Sequence, residues 1–186
     1  MCGWPCAVVL IKEKKHKMTI NEIQDEIIEE FSGFDDWMDK YQLLIDLGNE
    51  QEPLEEKYKT EQNLIDGCQS RVWLVAELVG EHEGAGARGY ENTSEAESDL
   101  VPPYPRTPVP PIIRFRAESD ALIVKGIVAL LIRVLSGHTP QEILDADLYF
   151  IEEIGLKEHL SPTRSNGLVA MVKQMRSYAL AFSLKR

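Results

Sequence analysis

No stretch of this 186-residue sequence stays apolar for the roughly 20 residues that a membrane-spanning helix needs. Basic residues are in short supply: 20 lysines and arginines against 31 aspartates and glutamates leave a formal net charge of -11. That imbalance argues against a nucleic-acid partner, because neutralising phosphates requires a basic face. It also disfavours loose association with anionic membrane surfaces. Cysteine is scarce, at Cys2, Cys6 and Cys68, and an odd number with no disulfide framework points to a reducing, cytoplasmic setting. No C-x-x-C pair is present for dithiol redox work, and no cysteine–histidine cluster with zinc spacing surrounds Cys68. Residues 6–11 are apolar, but the basic cluster of residues 12–17 follows them, the reverse of a secretory signal. What is present, 44% apolar residues over a single-domain length, suits a soluble protein with a closed core.

The sequence divides into an N-terminal extension, residues 1–17, and one domain over residues 18–186. The extension shares no pattern with the rest, and Met18 is itself a candidate translation start. Beyond it, Ile20, Ile23, Ile27 and Phe31 recur at helical spacing, with Thr19 and Glu22 placed as a capping box. Phe34, Trp37, Met38, Tyr41, Leu44, Ile45 and Leu47 predict a second amphipathic helix that Gly48 stops. The short Ser32-Gly33 break predicts that these two helices pair antiparallel. Residues 53–66 are polar and irregular. Residues 72–79 are rich in strand formers, and residues 112–117 set Ile113 and Phe115 against Arg114 and Arg116, the alternation of a half-buried antiparallel strand. Residues 121–135 are too long and too apolar for a strand and predict a helix buried on most sides. Thr139-Pro140 and Ser161-Pro162 both have the grammar of a helix start. The second opens a C-terminal helix with Leu168, Met171, Val172, Met175 and Ala179 on one face. Between the strands, at about residues 82–111, Gly, Glu and Ser give way to Val101-Pro102-Pro103-Tyr104-Pro105 and Val109-Pro110-Pro111. That composition predicts a disordered or polyproline insertion within a hairpin connection.

Cys68 stands apart from the other cysteines. It lies between Gly67 and Gln69-Ser70-Arg71 in a polar turn ahead of a strand, whereas structural cysteines usually sit inside apolar elements. The spacing leaves a reactive and an inert cysteine both open, and the polar turn favours the first. An ordinary thiol ionises near pH 8.5, at about that value. Arg71 is the nearest cation in sequence that could raise its thiolate fraction, or else a solvated residue at a strand start. Cysteine–histidine hydrolysis would need a histidine brought in by the fold. His138 and His159 are the candidates, and both sit at helix ends, where a histidine commonly meets terminal carbonyls.

Three separate blocks resemble the SufE family of sulfur-acceptor proteins. Gly67-Cys68-Gln69-Ser70-Arg71-Val72-Trp73-Leu74 is similar to the family signature around its sulfur-accepting cysteine. Ala117-Glu118-Ser119-Asp120-Ala121-Leu122-Ile123-Val124-Lys125-Gly126 is similar to a second block, and His159-Leu160-Ser161-Pro162-Thr163-Arg164-Ser165-Asn166-Gly167-Leu168 to a third. Trp37, Tyr41 and Gly48 sit as in the family's N-terminal helices. The resemblance implies an α+β fold, a small antiparallel sheet packed by helices and shared with IscU-like iron–sulfur scaffold proteins. It implies that Cys68 accepts persulfide sulfur, with Gly67, Gln69, Ser70, Arg71, Asp120 and Arg164 as supporting residues. The implied partners are a SufS-like, pyridoxal-phosphate-dependent cysteine desulfurase as donor and an iron–sulfur scaffold downstream, with no cofactor on this chain and a role as accessory rather than stand-alone enzyme. Asp120 also reads as the residue that opens a helix. Arg164, a cation in a helix first turn, opposes the helix dipole, which favours a place in the site.

The expected chemistry is persulfide exchange, in which the Cys68 thiolate attacks the terminal sulfur of the donor and expels the donor thiolate. Such a thiol is expected to be partly shielded in the free protein and exposed by its partner. Gly67 would serve as the joint, Leu64-Ile65 as the anchor and Val72-Trp73 as the apolar cover. The alternatives are a CsdE-like acceptor serving another sulfur pathway, a non-carrier module that activates the desulfurase, and an unrelated cysteine hydrolase.

Overall fold

A computed structural model describes residues 17–80 and 110–184 of the chain. The expected N-terminal extension and proline-rich insertion therefore lie almost wholly outside the described residues. The elements run α1 (Ile20–Ser32), α2 (Trp37–Glu50), β1 (Val72–Val79), β2 (Ile112–Ser119), α3 (Leu122–Leu135), α4 (Pro140–Asp145), α5 (Phe150–Glu153), α6 (Leu156–His159) and α7 (Pro162–Ser183). Two 3-10 turns, Glu56–Tyr58 and Glu61–Asn63, punctuate the irregular segment before β1. No helix among the described residues is long and apolar enough to cross a membrane.

The expected α+β architecture is the one observed, and α3 is its axis. Val124, Ile127, Val128, Leu130, Leu131, Val134 and Leu135 are all buried, so α3 needs cover on most of its circumference. That cover comes from α2, from α1 and α7, and from β2. β1 and β2 form a two-stranded antiparallel sheet with Val72 opposite Ser119 and Val79 opposite Ile112. Ile113, Phe115 and Ala117 are buried as the alternation predicted, while Arg114 is exposed. Arg116 lies over the Tyr58 ring, 4.9 Å from its centroid, and Leu54 N donates to Glu118 Oε2 at 2.8 Å. These contacts tie the irregular segment 53–66 to β2. The predicted capping box of Thr19 with Glu22 is present, and the predicted helix start at Thr139 forms a second with Glu142.

The second helix departs from expectation in three ways. It begins at Trp37, where the Asp36 carboxylate accepts from Met38 N at 3.1 Å, so Phe34 precedes it. It runs through Gly48 to Glu50. It also docks along α3 rather than forming an antiparallel pair with α1, which packs on α3 and α5. Arg133 of α3 forks onto Glu30 of α1 with two 2.7 Å bonds. Gly48 ends nothing because its role is contact. A Cβ there would come within 2.9 Å of Gly126 N, and a Cβ on Gly126 would reach 2.1 Å from Leu44 O. The two glycines let the backbones of α2 and α3 touch.

Gly126→Ala is therefore expected to lower stability despite gaining about 1 kcal/mol in helix propensity. Overpacking against immovable backbone costs about 1–3 kcal/mol or more. Urea unfolding should show a lower midpoint, and an unchanged or raised one would mean that the helices separate without cost. The paired ends Val79 and Ile112 can be joined by a tight turn. Replacing residues 84–109 with a short turn should leave the unfolding midpoint nearly unchanged, since each doubling of loop length costs only about 0.6 kcal/mol.

Candidate functional site

Residues 66–71 form a loop fixed at both feet. On the entry side, Leu64 bridges to Trp73, and Ile65, itself buried, donates from N to Val72 O at 2.8 Å. On the exit side, Arg71 N donates to Asp120 Oδ1 at 3.0 Å, and Asp120 N donates back to Arg71 O at 3.3 Å. Asp120 is thus no helix cap. Ala121 holds the N-cap position of α3, with its N–H donating to Ser119 Oγ, and the Asp120 carboxylate clamps the cysteine loop instead. Gly67 adopts φ +87°, a left-handed conformation that costs other residues strain. This reverses the chain directly before Cys68.

Cys68 is half-buried and opens into a cavity of about 330 Å³. Its Sγ donates to Gly167 O of α7 at 3.6 Å, and a Cβ on residue 167 would press to 3.3 Å from that sulfur. Val124 of α3 and Met171 of α7 supply the apolar wall. Gln69 and Ser70 line the cavity from the loop, and Thr163 and Arg164 line it from the first turn of α7. The structure thus brings Cys68, Gln69, Ser70 and Arg164 together, with Gly67 as the bend and Asp120 as the clamp.

Two expected features are absent from this arrangement. Arg71 is exposed and does not line the cavity, and only its backbone takes part. The apolar cover is not Val72-Trp73: strand pairing holds Trp73 beside Leu64, and α3 and α7 form the wall. Among the described residues no histidine lines the cavity. His159 stacks on Trp37 at 3.8 Å, with Nδ1 3.1 Å from Gly155 O, and His138 is buried with Nε2 3.2 Å from Met18 O. The described residues thus supply no histidine base for a Cys68–histidine hydrolase.

Sequence reasoning missed Gly167, Val124, Thr163 and Met171. Gly167 left one signal, an isolated glycine inside a helical pattern, which marks close approach of another group. The Trp37–His159 stack and the Tyr41 hydroxyl, which donates to the His159 carbonyl, fix the residues just before α7 and so the placement of Arg164.

Burial pushes the Cys68 thiol above its ordinary value. Desolvation disfavours the charged thiolate, so the free protein holds Cys68 largely as the unreactive thiol near neutrality. In a variant lacking Cys2 and Cys6, the rate of Cys68 alkylation should rise with pH around a midpoint above that of an unstructured cysteine peptide. A midpoint at or below the peptide's would show that a cation already reaches the sulfur.

The profile of a SufE family described as "Fe-S metabolism associated domain" matches residues 25–99 and 106–179. An uncharacterised SufE-like protein of Rhizobium meliloti is 35% identical over 156 residues, 83% of this chain and 93% of that protein. Another, from Rhizobium etli, is 37% identical over 156 residues, 83% of this chain and 88% of that protein. A hypothetical protein of Thermus thermophilus, known from a solution structure, superposes with a TM-score of 0.58 at 18% identity. That superposition covers 86% of this chain and 94% of the other and shows the shared fold.

Proposed function

Because this chain belongs to the SufE family, we propose that it is the sulfur-accepting partner of a cysteine desulfurase, taking persulfide sulfur onto Cys68 and relaying it to iron–sulfur cluster assembly. The observation that carries this reading is the placement of Cys68, half-buried at the tip of a loop clamped at both feet and opening into its own cavity. In the proposed step the Cys68 thiolate attacks the terminal sulfur of a donor persulfide. The donor S–S bond breaks, a new S–S bond forms on Cys68, and the donor cysteine leaves as thiolate. Attack on the inner sulfur would give a mixed disulfide and strand the cargo.

Each supporting residue has a physical task in this scheme. Gly67 supplies the bend, Asp120 keeps the exit of the loop in register with β1, and Gln69 and Ser70 offer hydrogen bonds to the arriving sulfur. Arg164 places a cation where the anionic sulfur develops. The thiol must ionise to attack, yet burial opposes ionisation, so the donor has to favour a loop position in which Cys68 is more exposed. The Gly167 contact is the one such a movement would release.

Intact-mass measurement after incubation with the desulfurase and cysteine tests the proposal. Cys68 should gain one or more sulfur atoms, and Cys68→Ser should gain none and lose its stimulation of the desulfurase. Sulfur found on Cys2 or Cys6 with Cys68 unmodified would overturn the assignment. Full stimulation by Cys68→Ser would instead identify a non-carrier activator.

A further inference from the structure

The cavity at Cys68 is larger than the cargo proposed for it. One sulfane sulfur is a single atom, whereas about 330 Å³ lies at the small end of the roughly 300–1,000 Å³ typical of small-molecule pockets. Its electrostatics are also unlike those of the rest of the molecule. The chain has a formal net charge of -11, yet among the described residues no carboxylate lines this cavity and one cation, Arg164, does. Among the described residues the side chains of Arg164, Gln69 and Ser70 make no ion pair or hydrogen bond. The Thr163 hydroxyl is already shared with Ser161 at 3.2 Å. An uncommitted guanidinium and two uncommitted polar side chains thus share a cavity with a nucleophilic sulfur and a small apolar wall.

From this geometry we infer that the cavity admits a small thiol bearing a carboxylate, about the size of a free amino acid, with its carboxylate on Arg164 and its sulfur against Cys68. Guanidinium–carboxylate pairing is a charge-assisted hydrogen bond with directional preference, so the cavity selects among small thiols rather than excluding them all. The inference rests on the reading of Cys68 as the sulfur carrier. On a loaded Cys68, the small thiolate attacks the terminal sulfur, the bond to Cys68 Sγ breaks, and Cys68 leaves as thiolate. The small thiol departs as its own persulfide, with no oxidant or reductant consumed. Loading from a small persulfide is the same step reversed. This gives the protein a second route for its sulfur, to or from a free carboxylate thiol.

The selectivity can be measured without a desulfurase, which keeps its failure separate from failure of the carrier reading. Iodoacetate and iodoacetamide share a reactive carbon and differ in the carboxylate. Their rate ratio on Cys68, in full-length protein lacking Cys2 and Cys6, is compared with the ratio on an unstructured peptide of residues 64–71. The ratio should be raised roughly two- to fivefold over the peptide, the effect of one solvent-exposed charge pair, and should shrink as salt is added. Arg164→Gln should abolish the preference, Arg164→Lys should keep part of it, and Arg71→Gln, outside the cavity, should keep it all. A ratio at or below the peptide's, which the negative net charge alone would produce, overturns the inference. So does a preference that survives Arg164→Gln.

Discussion

Where α2 crosses α3 the two backbones touch, because neither Gly48 nor Gly126 carries a side chain. Both ends of the site hang from this crossing. Toward its N-terminus α2 carries Trp37 and Tyr41, which hold His159 and so fix the chain at the point where it turns into α7. Toward its own N-terminus α3 carries Val124, the apolar wall beside Cys68, and just before it Asp120, the clamp on the cysteine loop. If α2 and α3 moved apart by the radius of a methyl group, Arg164 and Val124 would shift relative to one another. A site assembled from three distant stretches of sequence needs such a rigid reference, since interiors at crystal-like density transmit small displacements rather than absorb them.

The Cys68 environment sets two demands against each other. Sulfur carried as proposed would gain from concealment, and half-burial with a Gly167 contact supplies it. A nucleophile gains from charge, and burial withholds it. The loop is built for both, with hydrogen bonds from its backbone at its two feet and, among the described residues, one long sulfur–carbonyl hydrogen bond at its tip. Displacing the tip would release that one weak hydrogen bond and the packing of Cys68 against the core while the feet stay paired.

Much of this was legible in the sequence, and the exceptions have physical reasons. One-sided burial writes itself into periodicity, which is why Ile20, Ile27 and Phe31 marked α1, Ile113 and Phe115 marked β2, and Leu168, Met171, Met175 and Ala179 marked α7. Gly48 was misread because a glycine in a helical pattern signals either a stop or a close approach, and only the partner helix distinguishes them. Asp120 has the residue type and position of an N-cap, yet its carboxylate turns to Arg71 N, a long-range choice invisible to local grammar. The four-residue helices α5 and α6 are too short to show a period. Gln24, fully buried in α1, is a polar residue that periodicity of apolar side chains does not mark; its side chain joins Asp147 O at 2.9 Å and Phe150 N at 3.3 Å. The sequence singles out Cys68 and Arg164, which line one cavity, whereas Val124 and Gly167, which shape the space between them, came only with the fold.

The hairpin has a longer-range consequence. The cysteine loop enters β1 at Val72, and the connection to β2 leaves it at Val79. At a rise of about 3.3 Å per residue, the length of the strand separates the two by roughly 25 Å. The cysteine loop and the start of the connection therefore lie at opposite ends of the same strand. A change in the residues that join the strands thus meets the sheet at the end of β1 farthest from Cys68.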